Sequence, residues 1–203
     1  MRALLLMELF VLSACAAGKP APVTPAADST IVKPVDDGVR RARSLAIFAE
    51  ASKVLLHPRC VNCHPADDSP RQGERSLIHD PPVTRGPGDR GAPAMQCATC
   101  HQDRNLQLAR VPGATDWHLA PLEMAWLGRT PGQICALLKD PARNGHRTLE
   151  GIQQHIAHDP IVAWGFLPGA DRIPAPGTQE QLGALFSEWI ATGAECPTEE
   201  KQP

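Results

Sequence analysis

Apolar positions at helical spacing occur in four stretches of the chain, and each stretch begins with a start signal. Residues 38–56 follow the acidic pair Asp36 and Asp37, which suit a helix cap. Leu45, Phe48, Ser52 and Leu55 fall on one face there, with Ile47 and Val54 beside them. This predicted helix stops at His57-Pro58. Thr130-Pro131 opens a second, with Ile134, Leu137 and Leu138 as its stripe and Pro at the first helical position. Thr148 opens a third through L-E-G-I-Q-Q-H-I-A-H-D. Thr178 opens a fourth, where Thr178 and Gln181 fit a capping box and Gly193 suits the stop. Leu182, Leu185, Phe186 and Trp189 form its apolar face. No stretch alternates convincingly as a strand. Residues 65–96 are dense in Pro, Gly, Asp and Arg and read as a long ordered loop, and 102–128 are again irregular. The pattern predicts a mainly α, loop-rich domain with few or no strands, spanning 37–197.

Composition adds a requirement. The 203 residues include 21 Pro and 16 Gly, only 4% aromatics and no Tyr. A loop-rich chain with so few large side chains needs disulfides, a metal or a cofactor to complete its core. The formal net charge of −2, with no basic face, excludes a general nucleic-acid-binding role.

The seven cysteines carry the chemistry. Cys60-Val61-Asn62-Cys63-His64 and Cys97-Ala98-Thr99-Cys100-His101 are both C-x-x-C-H, the attachment pattern of a c-type haem. Cysteines one helical turn apart can each form a thioether to one vinyl group of a porphyrin, and the adjacent histidine then binds iron. The pattern predicts two covalently bound haems, with His64 and His101 as proximal ligands. A redox disulfide reading lacks its usual βαβ setting. A zinc reading does not explain a histidine after both pairs.

For the opposite iron faces, His79 and Met124 rank first, then Met95 and His57. His79 lies in the long loop, free to fold over either ring. Met124 sits in a Pro-flanked loop. His57 and Met95 lie too near their own motifs and would reach the other haem. His118, His146, His155 and His158 read as surface or polar-network residues. The tryptophans at 117, 126, 164 and 189 read as haem or core packing. Cys135 and Cys196 remain, and in an oxidising compartment they are expected to pair. Neither a Ser/His/Asp arrangement nor a phosphate loop is evident.

Residues 1–15 combine Arg2, an apolar run and small residues, the plan of a signal peptide too short to span a membrane. Leu12-Ser13-Ala14-Cys15 resembles the bacterial lipoprotein box. That resemblance implies cleavage before Cys15, lipidation of it, and a periplasmic protein held to a membrane by acyl chains. Ala16, where Asp would favour the inner membrane, points to the outer one. Residues 16–36, rich in Ala, Pro and Thr, read as a tether, and 198–203 as a flexible tail.

The two motifs make the chain similar to dihaem c-type cytochromes. A histidine before the first motif, one between the motifs and their close spacing resemble the small dihaem subunit of periplasmic nitrate reductase. The run from H-P-R-C-V-N-C-H-P through W-H-L-A-P-L-E-M-A-W to W-G-F-L-P-G, within 57–196, resembles exported cytochromes labelled isoquinoline 1-oxidoreductase subunits. These resemblances imply electron transfer, with an exported redox enzyme or another cytochrome as partner. The alternative is a small dihaem enzyme, peroxidase-like or thiosulfate-oxidising, with one open iron.

Overall fold

In the computed structural model the carboxylate of Asp36 accepts the Gly38 N–H at 2.7 Å and starts helix α1 (Asp37–Leu55), one residue ahead of the expected start. The structure describes residues 36–169 and 171–198. The leader with Cys15, the tether over 16–35 and the tail over 199–203 lie outside the described residues. Helix α1 buries Ile47, Phe48, Ala51, Val54 and Leu55. Ser44 is also sealed in, while Leu45, placed by periodicity on the apolar face, is only partly covered. The Ser44 hydroxyl accepts the Glu195 N–H at 2.9 Å, which gives a polar group a partner inside the contact.

After α1 come a single turn α2 (Pro58–Val61), then α3 (Pro131–Lys139), α4 (Leu149–His158), α5 (Pro160–Phe166) and α6 (Gln179–Ala191). Thr130, Thr148 and Thr178 cap α3, α4 and α6, and capping boxes close at Thr130 and Thr178. Helix α5 was not anticipated. Asp159 ends α4 and caps α5 through the Ile161 and Val162 N–H groups, with Pro160 in the first turn. A proline that stops one helix thereby starts another.

Helix α6 packs on both α1 and α4. Phe48 and Trp189 meet at a ring separation of 5.1 Å, and Phe186 stands edge-on to Trp189 at 5.6 Å. At the α4–α6 crossing, a Cβ on Gly183 would lie 2.9 Å from the Ala157 Cβ, so glycine sets how closely these helices approach. The Cys135–Cys196 disulfide joins α3 to the chain just beyond α6.

The fold is helix-rich, but the irregular regions are more ordered than expected. Among the described residues they hold three antiparallel pairs: β1 (Arg71–Gln72) with β2 (Leu77–Ile78), β3 (Gly91–Ala92) with β4 (Met95–Gln96), and β5 (Arg104–Leu106) with β6 (Val111–Ala114). Strands of two to four residues are too short to leave a period-2 signature. Arg85, nearly sealed from solvent, ties two of these loops together. It donates to Asp89, to the Asp67 carbonyl and to the Ala120 carbonyl. No helix among the described residues is long and apolar enough to cross a membrane.

Candidate functional site

His57 caps α2, its ring Nδ1 accepting the Arg59 N–H at 3.2 Å, and Pro58 sets the first turn. The chain then continues in tight turns. Cys63 N donates to the Cys60 carbonyl at 3.1 Å, and His64 N to the Val61 carbonyl at 3.1 Å. The second motif does the same in a 3-10 turn over Cys97–Thr99, with Cys100 N and His101 N both donating to the Cys97 carbonyl. Each cysteine pair therefore sits about one turn apart, as double thioether attachment needs. All four of these thiols are free.

The two motif histidines share one local design. His64 lies flat on Trp126, with ring centres 3.5 Å apart and planes within 6°, and its Nδ1 donates to the Met124 carbonyl at 2.7 Å. His101 lies flat on Trp117 at 4.7 Å and 4°, and its Nδ1 donates to the Pro112 carbonyl at 2.8 Å. Each ring is clamped by an indole, its tautomer is set, and Nε2 is left as the free nitrogen. Metal-ligating histidines are held in this way. The tryptophan partners read from sequence as haem or core packing; their alignment with the motif histidines leaves no signal there.

Two cavities open beside these rings. The first, about 990 Å³ including its mouth, takes Cys60, Cys63, His64, Met124, Trp126 and, from α4, His155. The second, about 1430 Å³ including its mouth, takes His79, His101 and Trp117, with Arg71, Arg110 and Arg172 on its wall. Arg59 and Cys63 line both. Cys97 is half-buried and Cys100 exposed, and neither lies on the wall of the second cavity.

Burial sets the electrostatics. It pushes the Cys60 thiol up to about 12, with Cys63 adding to the effect. Burial, and then the neighbouring Cys97, pushes Cys63 up to about 11. His64 is driven down to about 3 by burial; its bond to the Met124 carbonyl opposes this, and His155 and Arg85 push it further down. Burial likewise lowers His101, against its bond to Pro112 and with help from His79 and Arg172. Both imidazoles are therefore neutral at pH 7, the form that binds a metal.

The expected second ligands fall in different places. His79 stands opposite His101, ring centres 5.9 Å apart and planes at 66°, its Nδ1 bonded to the Pro81 carbonyl at 2.9 Å. Met124 is buried on the first cavity, but its carbonyl sits behind the His64 ring. Met95 is exposed on β4 and His57 is half-buried at the start of α2, and neither lines a cavity. Among the described residues no three His, Cys, Asp or Glu side chains converge on a bare-ion site.

The first cavity carries a motif's cysteines and its histidine on one wall, the set a haem needs; the second carries His101 and His79, with Cys97 and Cys100 off its wall. An imidazole nitrogen lies about 2.0 Å from a bound metal, so two rings on one metal have centres about 6.3 Å apart and can twist about the shared axis. The observed 5.9 Å between His79 and His101 is close to that. Trp126 Nε1 in the first cavity and Arg71 Nε in the second are buried donors without a partner, of the kind a propionate would satisfy.

Comparison with protein-family models, curated proteins and solved structures found no match.

Proposed function

We propose that the protein is a periplasmic, lipid-anchored electron carrier with two covalently attached haems, passing single electrons between an exported redox enzyme and another cytochrome. The observation that carries this reading is the repeated clamp. Each C-x-x-C-H histidine is stacked on a tryptophan, bonded at Nδ1 to a carbonyl, and left with one nitrogen facing a cavity. When bound, each haem supplies a reversible one-electron couple at its iron.

The chain's own groups do the rest. Cys60, Cys63, Cys97 and Cys100 would tether the porphyrins, and His64 and His101 would hold iron from below. His79 would be the second ligand at the His101 site. Arg71, Arg110 and Arg172 would neutralise propionates there, and the shared wall of Arg59 and Cys63 keeps the two sites adjacent. Lipid at Cys15 would hold the domain near its partners.

The test is production in a host with haem-ligation machinery, followed by intact-mass measurement. The expected gain is two porphyrin masses. Cys60→Ser with Cys63→Ser, and Cys97→Ser with Cys100→Ser, should each remove one. No added porphyrin mass in the parent would overturn the proposal.

A further inference from the structure

We infer that His155 is the second iron ligand at the His64 site and that Asp159 is its positioning residue, an assignment resting on the haem reading above. His155 projects from α4 onto the wall that also carries Cys60, Cys63 and His64, between the buried Ile152 and Ile156. Its Nδ1 lies 3.2 Å from Asp159 Oδ2, one helical turn on, which leaves Nε2 free. Asp159 is itself fixed. Its carboxylate accepts the Ile161 N–H at 2.8 Å and its carbonyl accepts from Gln179 at 3.0 Å. A histidine oriented by a carboxylate that is in turn hydrogen-bonded is the arrangement of a tuned metal ligand.

The other side chains on this cavity are less well placed. The Met124 carbonyl accepts the proton of His64 Nδ1, so its backbone lies on the His64 side of any iron held at Nε2. To bind the opposite face, its thioether would have to pass the porphyrin. His118 also lines the cavity, but on a loop, where its Nδ1 is bonded to the backbone of the exposed Asp116. A helix holds a ligand more exactly than such a loop.

The two sites then differ in the partner of the second ligand. His79 bonds a neutral carbonyl, whereas His155 faces a carboxylate. A carboxylate makes the imidazole a stronger donor and stabilises the ferric state, so the His64 site is the lower-potential one.

The test uses the holoprotein, with haem content confirmed first by intact mass. The parent should show two low-spin haems, no near-infrared sulfur-to-iron band, and no carbon monoxide binding when reduced. His155→Gly should bind carbon monoxide at one haem of the two, and added imidazole should abolish that binding. His155→Met should create the sulfur-to-iron band. Asp159→Asn should move one redox wave, the lower, to higher potential and leave the other in place. A parent band lost in Met124→Leu, an opened iron in His118→Gly, or unchanged spectra in His155→Gly would overturn the assignment with the dihaem reading intact. A parent without porphyrin mass would overturn both.

Discussion

His79 and His101 stand 5.9 Å apart, ring centre to ring centre, each with Nδ1 bonded to a backbone carbonyl. They come from opposite ends of a 22-residue separation containing the β3–β4 hairpin, so the pairing is a product of the fold. On the dihaem proposal, His79→Ala should open the iron held by His101. Carbon monoxide should bind one haem in the reduced variant and none in the parent, read from the difference spectrum. Equal binding in both would place the ligand elsewhere.

Arg59 is a buried cation common to both cavities. Its guanidinium donates to the Ile173 carbonyl at 2.8 Å and pairs with Glu74. Arg59→Met keeps the bulk and removes the charge. With less positive charge to favour reduction, both midpoint potentials should fall, by on the order of tens of millivolts, where about 59 mV is a tenfold change for one electron. A potentiometric titration in which neither wave moves would rule out this role.

Gly183 sets the α4–α6 contact against Ala157. Gly183→Leu should overpack it and cost about 1–3 kcal/mol, seen as a lower denaturation midpoint at constant slope. Gly183→Ala should cost less, since its single methyl meets another methyl and gains helix propensity.

These elements show what was legible from sequence. Helices α1, α3, α4 and α6 could be read because each has a capping residue and a stripe at i, i+3, i+4 spacing. Helix α5 was missed because Asp159-Pro160 reads equally as a stop. The hairpins were missed because strands of two to four residues hold too few positions to show a period of two. At the site, C-x-x-C-H was plain from spacing alone. The Trp117 and Trp126 stacks depend on contacts across 16 and 62 residues, which no local pattern reveals. His155 looked ordinary because its helix position is equally compatible with a surface pair to Asp159.

The bridge between Cys135 and Cys196 closes a separation of 61 residues. Replacing both with Ser should lower stability by about 4 kcal/mol in the chain-entropy account. Chemical denaturation checks the size, and thiol counting on the denatured, unreduced holoprotein should find no free thiol from this pair.

Cys15→Ser removes the acylation site expected at the end of the leader. The variant should move from the membrane to the soluble fraction on fractionation. Unchanged partition would dismiss the anchor.

The bridge has one more consequence, for the order of assembly. On the dihaem proposal Cys60, Cys63, Cys97 and Cys100 must arrive as thiols, while Cys135 and Cys196 must be oxidised in the same compartment. Cys135 has no solvent exposure, held in the core on α3. Once shut, the bridge offers only its Cys196 end to the reductant that keeps the motif pairs open. Scrambled pairing should therefore be a hazard chiefly before the helices close.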